Sequence, residues 1–390
     1  MKLVIFIITL LSIVSLSALE FDLFGYYENL SSLTLQENPE FQSYNKLRLD
    51  LNKEYSTSIT FNSNLVFQTY HGLKSINLLD YIPSETVAEY AQQIGIPVAD
   101  LSERFTDSYE DEFFLENAYL SIYKKHFNLR IGKQQIALGS GYAWNPTDIY
   151  NQKNIFDPTY EKRGVNALKL EIPYSSEGMI STLISFGENW QESTRSIMLQ
   201  QFLLGYDVQL SYAYKLKYNM DYLTLQESSE DRDMLGISFS GALLGLGFWG
   251  EGAYNLLSNS DDFSQVIIGT DFTFENGLYL MAEYYYNGLG KTDEDLFNFN
   301  DWMEYYTDSI NLGRDYLYLG ETSSIGELIE WSNFIIGNLN DKSISYNPWI
   351  NFSLSDNVDL DIYGYIALGN EKAEFSQFED SLAARLKVYF

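Results

Sequence analysis

Apolar and polar residues alternate at every second position along much of the chain. Near the C-terminus Val358, Leu360 and Ile362 fall on one side of an extended segment, while Asp359 and Asp361 fall on the other. A period of two residues is that of a β-strand with one apolar and one polar face. The repetition of such segments predicts an all-β fold made of amphipathic strands.

The length of these segments predicts a transmembrane antiparallel up-and-down β-barrel. A strand that turns one face to lipid and the other to water needs about ten alternating residues. Counting the segments gives about eighteen strands when residues 315–323 are included, and about sixteen is the alternative, because single-chain bacterial barrels have an even number of strands.

The long polar connections between the segments are expected on one side of the barrel. When both chain ends lie on the periplasmic side, every second connection lies outside, and the outer connections are the longer ones. We therefore expect the barrel to occupy residues 18–390, with long extracellular loops near 71–112, 139–162, 219–232, 289–314 and 370–380.

The N-terminus predicts a secretory signal peptide over residues 1–17. Lys2 precedes an apolar run from Leu3 to Val14, and small residues follow up to Ala18. About a dozen apolar residues are too few to span a bilayer, where about twenty are needed. No later segment reaches eighteen consecutive apolar residues, so the sequence predicts no membrane-spanning helix.

The last residues of the chain form an alternating strand that ends on an aromatic side chain. The apolar positions of this strand are Leu382, Ala384, Leu386, Val388 and Phe390. Such an ending resembles the C-terminal recognition signal of Gram-negative outer-membrane barrels. The resemblance implies a location in the outer membrane, contact with its lipid and lipopolysaccharide, and recognition of Leu386, Val388 and Phe390 by the barrel-assembly machinery.

Composition agrees with this interpretation and excludes several classes of partner. Aromatic residues make up 16% of the chain, with 32 Tyr and 25 Phe, as expected for a barrel with aromatic girdles at both membrane interfaces. A net charge of -30 would repel nucleic-acid phosphates. The chain has no cysteine, which excludes disulfides and thiolate metal sites.

The sequence gives little support for catalysis. The two histidines, His71 and His126, are expected at opposite ends of the barrel, too far apart to share a metal ion. The chain also lacks a phosphate-binding GxxxxGK loop. We therefore expect neither an enzyme nor a protein-bound cofactor.

Residues 127–167 carry motifs that differ from the rest of the chain. Arg130-x-Gly132-x-Gln134 lies on a predicted strand, a Gly-rich stretch follows from Gly139, and Asn145-Pro146-Thr147-Asp148 precedes a return strand that opens with Gly164-Val165. This pattern resembles outer-membrane barrels in the neighbourhood of the alginate-export and phosphate-selective porin families. The resemblance implies a barrel family but specifies a substrate poorly, and Leu138 stands where an indole is common in that pattern.

The glycines and the proline of this segment suggest a loop that bends sharply. We expect residues 139–162 to fold into the channel and narrow it, with Arg130, Gln134, Asp148 and Arg163 near the constriction. The alternative is a structural loop that packs on the barrel rim.

The predicted strand phases place charges of both signs inside the barrel. The basic residues are Lys46, Arg48, Arg130, Lys169, Arg385 and Lys387, and the acidic ones include Asp271 and Glu283. Rings of charge set the sign preference of a pore. A mixed wall with an acidic outer mouth predicts a weak preference for cations; alternatively, opposite charges on neighbouring strands simply satisfy one another.

Carboxylates crowd two of the predicted outer loops. They include Glu110, Asp111 and Glu112 in the first, and Asp293, Glu294 and Asp295 in the second. Hard cations collect oxygen ligands, so divalent ions bound here could bridge the loops to lipopolysaccharide phosphates. The alternative is that these charges only keep exposed loops soluble.

Together these observations predict a water-filled channel for passive diffusion of small polar or charged solutes. A dedicated conduit for exported polysaccharide is an alternative, which would have aromatic platforms and charges of one sign in its lumen. Another is a surface protein for adhesion whose barrel is plugged by its own loops. The oligomeric state stays open at this level.

Overall fold

A computed structural model describes residues 21–151, 163–308 and 311–390. The predicted signal peptide, residues 1–17, lies outside this part of the chain, as do residues 152–162. None of the helices in the described ranges is long and apolar enough to cross a membrane.

The described chain is dominated by antiparallel strands joined in chain order. Their bounds are β1 Asp22–Thr34, β2 Phe41–Ser56, β3 Ile59–Gly72, β4 Ser75–Asn77, β5 Thr106–Ser108, β6 Glu112–Lys124, β7 Phe127–Gln134, β8 Val165–Pro173, β9 Gly178–Ser185, β10 Thr194–Leu203, β11 Tyr206–Asp221, β12 Gln226–Leu243, β13 Leu246–Leu257, β14 Phe263–Thr273, β15 Tyr279–Asn287, β16 Asp315–Ile325, β17 Ile329–Asn338, β18 Ile344–Ser355, β19 Val358–Leu368 and β20 Ser381–Tyr389.

Eighteen of these strands form one closed sheet, and the short strands β4 and β5 pair only with each other in an outer loop. The first strand pairs with β2 on one side and with β20 on the other. At this seam the backbone of Gly25 exchanges two hydrogen bonds of 3.0 Å with the terminal Phe390. The predicted barrel of about eighteen strands is confirmed, and the alternative of sixteen is wrong because Asp315–Ile325 is a full strand of the sheet.

Side chains on the barrel strands separate into an apolar outer face and a polar inner face. Ile197 and Leu199 of β10 are 51% and 42% exposed, whereas Ser196 and Met198, which alternate with them along the strand, are buried. On β20 the pairs Leu386↔Leu360 and Arg385↔Asp361 with β19 lie on opposite faces. The exposed apolar side chains of neighbouring strands together form a belt around the barrel.

One predicted loop is wrong: residues 219–232 are mostly strand. The strands β11 and β12 continue to Asp221 and from Gln226, and only a short turn at 222–225 joins them. The turn contains no glycine, and Leu225 itself adopts a positive φ of 53°. Both faces of the start of β12 are polar, so the hydrophobic pattern gave no sign of a strand there.

The other long connections contain short helices. Four lie in the loop after β3: a 3₁₀ turn at Leu78–Tyr81, α-helices at Ser84–Ile94 and Val98–Leu101, and a 3₁₀ turn at Ser102–Phe105. The loop after β15 holds a 3₁₀ turn at Glu294–Leu296 and a helix at Phe299–Asp308, and the loop after β19 holds a 3₁₀ turn at Phe375–Gln377.

The outer loops pack together into an apolar cluster, here called the loop cap. Tyr90 stacks on Phe299 with ring centroids 3.7 Å apart, and its hydroxyl donates to the carbonyl of Tyr222 in the β11–β12 turn. These hairpins are spaced around the circumference, so contacts between them have to cross the outer opening. The buried apolar members are Leu79, Ile82, Val87, Tyr90, Ala91, Leu101, Phe297, Phe299, Trp302, Met303, Tyr305 and Leu312.

The two faces of β10 predict effects of different size for a substitution to arginine. Leu199→Arg places a charge on the apolar belt and should lower the free energy of unfolding by about 2–4 kcal/mol, as at other mid-membrane positions of barrels. Gln200→Arg, one residue away on the inner face, should change it little. Urea titration of each variant in lipid vesicles measures its free energy of unfolding. An equal decrease in both variants would contradict the assignment of the two faces.

Candidate functional site

The loop that follows β7 folds into the barrel and lies along its inner wall. Residues 139–151 contact strands from β9 to β16 through hydrogen bonds and apolar packing. Glu251 of β13 and Glu283 of β15 hold it, and both project from the inner faces of their strands.

Glu283 binds the backbone of the loop at three consecutive residues. Its carboxylate accepts hydrogen bonds from the amides of Tyr142 at 2.7 Å, Ala143 at 2.9 Å and Trp144 at 3.1 Å. The indole Nε1 of Trp249 donates a further bond at 2.6 Å. A buried carboxylate is tolerated only when such donors surround it, so Glu283 fixes the path of the loop.

Glu251 holds the loop at two further points. It accepts from the amide of Ser140 at 2.8 Å, from the amide of Thr147 at 2.5 Å and from the Thr147 hydroxyl at 2.8 Å. Gly139 has a φ of +89°, and a Cβ there would lie 2.5 Å from a Glu251 oxygen. Only glycine fits this close approach.

Trp144 is the apolar anchor of the inward loop. Its ring stacks on Tyr285 at a centroid distance of 5.0 Å and lies edge-on to Tyr318. Its Nε1 donates to Asn311 Oδ1 at 3.1 Å. The indole is therefore buried against the wall of β15 and β16 with its polar atom satisfied.

The end of the described loop packs against the opposite part of the same wall. Ile149 joins Ala213, Met234 and Ala253 in an apolar cluster. The Tyr150 hydroxyl lies 3.0 Å from the Leu183 carbonyl and 3.0 Å from Ser196 Oγ. Residues 139–151 thus lie along the inner wall from β9 to β16. The wall of β17–β20, β1–β3 and β6–β8, over which this described stretch does not extend, is here called the uncovered wall.

The structure does not bring the four predicted constriction residues together. Gln134 is fully buried, and its Nε2 donates to the Ala167 carbonyl at 2.9 Å. Asp148 is buried within the loop, where it accepts from the amides of Leu138, Tyr150 and Asn151. Both side chains therefore serve the local backbone and do not face the channel.

The two predicted arginines lie at different heights of the uncovered wall. Arg163 is at the outer rim, 3.2 Å from Glu112 and stacked over the Phe114 ring. Arg130 lies low on β7, opposite Lys169 in the register, with its guanidinium 4.6 Å from the Tyr119 ring centroid. Lys169 in turn pairs with Glu171 at 2.6 Å.

The most highly charged part of the uncovered wall surrounds Tyr26. The Nζ atoms of Lys387 and Lys46 lie 3.9 and 5.4 Å from its ring centroid, and the Arg48 guanidinium carbon lies at 5.7 Å. Cations at such distances are attracted to the aromatic face. Three neighbouring strands, β20, β1 and β2, thus form one continuous surface of aromatic and charged groups.

Arg48, Arg385 and Lys387 on this part of the wall each have a carboxylate close by. Arg48 contacts Asp50 at 2.7 Å and Glu116 at 3.2 Å. Arg385 contacts Asp361 at 3.0 Å, and Lys387 lies 3.9 Å from Glu28. The wall therefore alternates in sign, as the mixed set of predicted lumen residues implied.

Two predicted acidic lumen residues differ in their surroundings. Asp271 accepts a hydrogen bond of 2.7 Å from the Tyr279 hydroxyl near the periplasmic end of β14. Glu283 points inward but is covered by the loop, so it does not present its charge to the channel. Glu251 is covered by the loop in the same way, but it was not among the residues predicted from the sequence. The sequence marks it only as a single inward carboxylate between Gly250 and Gly252.

The predicted cation-binding carboxylates are engaged by protein groups. Asp111 accepts from the Tyr70 amide, and Glu112 pairs with Arg163. Asp293 accepts from the Asp295 amide at the start of its 3₁₀ turn. Glu294 accepts from Asn370, and Asp295 pairs with Lys372, which also contacts Glu85. Within the described ranges no three such residues have metal-binding geometry, and divalent binding by the loops, including Glu110, stays a prediction.

Another buried carboxylate, that of Glu374, lies at the base of the loop cap. Glu374 accepts hydrogen bonds from the Tyr316 hydroxyl at 2.5 Å and from Asn338 Nδ2 at 2.7 Å. Burial, with a smaller contribution from the nearby Asp341 carboxylate, raises the pKa of Glu374 to about 8. The packing of the loop after β19 is therefore sensitive to pH near neutrality.

Comparison with known proteins adds only distant likenesses. No protein-family model matches the chain, and no curated protein matches it. Similar solved structures include a triple mutant of the Rhodopseudomonas blastica porin, with 12% identity, a TM-score of 0.46, and coverage of 95% of this chain and 100% of that one. A loop-deletion mutant of OmpT, an outer membrane protein of Vibrio cholerae, has 9% identity, a TM-score of 0.45, and coverage of 95% and 99%. Pseudomonas putida OprB has 7% identity, a TM-score of 0.42, and coverage of 97% and 95%. At these values the function of this chain has to be argued from its own residues.

Removal of the Glu283 carboxylate should release the inward loop. Glu283→Leu leaves the backbone amides of the loop and the Trp249 indole without an acceptor, and each hydrogen bond to a charged group contributes about 1.5–3 kcal/mol. We expect protease cleavage within residues 142–150 and a weaker effect for Glu283→Gln. The control is Glu330→Leu, at an exposed inward position of β17, which should remain resistant; cleavage of both would contradict the anchoring role.

The loop cap should weaken as pH rises. Unfolded chain loses the Glu374 proton near its ordinary pKa of 4.5, whereas the folded chain keeps it up to about 8, so stability falls across this window. Glu374→Gln mimics the protonated form and should flatten the dependence of the melting temperature on pH. Glu371→Gln, an exposed position in the same loop, is the control; an unchanged pH dependence in Glu374→Gln would count against this account.

Proposed function

We propose that this protein is an outer-membrane channel for passive diffusion of small polar or charged solutes. The observation that carries the proposal is a closed barrel with an apolar outer belt and a charged inner wall. Charged side chains inside a barrel require water, and eighteen-stranded barrels of this class are wide enough to hold it. The path for solutes is the space between the inward loop and the uncovered wall.

We propose a weak preference of this channel for cations. The surface around Tyr26 presents both signs in close pairs, which supports little discrimination by the wall itself. The net charge of -30 and the acidic outer loops would raise the local concentration of cations at the mouth. Divalent ions bound to those loops and to lipopolysaccharide remain part of the same proposal.

The C-terminal strand supports a role in assembly. Leu386 and Val388 face outward beside β1 and β19, and Phe390 pairs with Gly25 at the seam of the barrel. Recognition of this strand by the barrel-assembly machinery would place the last strand next to the first, which is the step that closes the sheet.

The loop cap favours a second candidate, a barrel closed from outside that acts as a surface protein. Apolar contacts between distant hairpins, with Trp302 fully buried among them, could block the opening. The polysaccharide conduit has weaker support: Trp349 and Tyr363 stack at 4.2 Å on the inner wall, but the charges beside them are of both signs.

Planar bilayers with purified protein separate these candidates. The proposal expects stepwise conductance, and deletion of residues 142–158 should raise the single-channel value because it removes the inward loop. Absence of any conductance in the intact protein, together with conductance after shortening of the outer loops, would favour the plugged surface protein.

The ion preference is measured as a reversal potential across a salt gradient. We expect a small potential of the sign that indicates cation permeation, reduced at high salt because screening shortens the range of the loop charges. A reversal potential that favours anions would contradict the proposed selectivity but leave the channel itself intact.

A further inference from the structure

A polar cavity lies inside the barrel, between the first residues of the inward loop and the wall of β9–β12. Its volume is about 610 Å³, and Ser140 of the loop forms part of its lining. Cavities of about 300–1,000 Å³ are typical of sites that bind small molecules. None of the interactions that hold the loop in place requires this space.

The wall of the cavity offers neutral hydrogen-bonding groups. Gln200 and Gln209 line it on adjacent strands, and the Gln200 amide donates to the Gln209 oxygen at 2.9 Å. Ser238 and Ser240 on β12 add hydroxyls. Amides and hydroxyls both donate and accept, so they suit a ligand that does the same at many positions.

An aromatic face and the charges at the edge of the cavity narrow the choice of ligand. Phe202 lines the cavity on the inner side of β10 and is 43% exposed, which leaves ring surface for apolar C–H groups. Among the described residues, Asp207 and Glu177 are its charged lining residues, and no lysine or arginine of those ranges contributes. Anions are therefore disfavoured, while hydroxyl groups find strong acceptors at the periplasmic edge.

We propose that this cavity is a subsite for neutral polyhydroxylated solutes of the size of a mono- or disaccharide. The inference rests on the proposed channel function and adds a substrate class to it. The solute would place C–H groups on Phe202 and exchange hydrogen bonds with the paired amides of Gln200 and Gln209. Passage of such solutes would then be slowed by transient binding beneath the inward loop.

The test is block of single-channel current by sucrose added to the periplasmic side of a planar bilayer. We expect a concentration-dependent reduction of current. Gln200→Leu removes about one net hydrogen bond, worth about 1 kcal/mol, and should raise the half-blocking concentration about fivefold. Phe202→Ala should have an effect of similar size through the lost ring contact. Sugar-free conductance equal to the wild-type value shows that each variant is folded and open.

The matched control is Gln201→Leu, which removes the same amide from the outer face of the same strand. Its half-blocking concentration should equal that of the wild type. Conductance without any sucrose block would overturn the subsite and leave the channel proposal standing. An equal rise of the half-blocking concentration in Gln200→Leu and Gln201→Leu would do the same. Block by tetramethylammonium but not by sucrose would also overturn it, in favour of a cation site at Asp207 and Glu177. Absence of conductance would refute the channel itself.

Discussion

The requirement that every backbone polar group in hydrocarbon be paired determines the architecture of this protein. An open sheet would leave the edges of its first and last strands unpaired inside the membrane. The hydrogen bonds between Gly25 and Phe390, with the register that continues from them along β1 and β20, remove those edges. Closure then separates an apolar exterior from an interior that has to be filled with water, side chains or loops.

Two carboxylates on the inner face of the barrel hold the loop that occupies part of that interior. Glu251 and Glu283 would be ordinary lumen charges in an empty barrel, yet both are saturated by backbone amides of the loop after β7. A carboxylate with several amide donors exchanges its water for fixed dipoles at little cost. These contacts fix the path of the loop, and the charges of Glu251 and Glu283 are no longer exposed to the channel. The charged groups that still line it include those of the mixed surface around Tyr26.

The outer side of the molecule is governed by apolar packing. The loops after β3 and β15 bury aromatic residues against each other, and Lys372 from a third loop bridges Glu85 and Asp295. The inward loop is anchored mainly by Glu251 and Glu283, and the hydrogen bond from Trp144 to Asn311 links it to the loop after β15 that contributes to the cap. At the opposite end of the barrel the described strands are joined only by short turns, so the two ends of the barrel differ in how much loop structure covers them.

The alternation of apolar and polar residues by itself indicated most of the strands and the faces they show, because the period of two in Val358–Leu368 is a local property of a strand between lipid and water. It left eighteen and sixteen strands as alternatives and missed the polar start of β12. It also indicated that the glycine-rich segment from Gly139 bends. Only the tertiary structure decided which inner residues meet water. Gln134, Asp148 and Glu283 are polar residues at predicted lumen positions, yet each binds backbone groups. Gln134 and Glu283 bind groups distant in sequence, and Asp148 binds amides of its own loop. Pairing with a loop depends on where the closed sheet brings its strands, and no local pattern records that position.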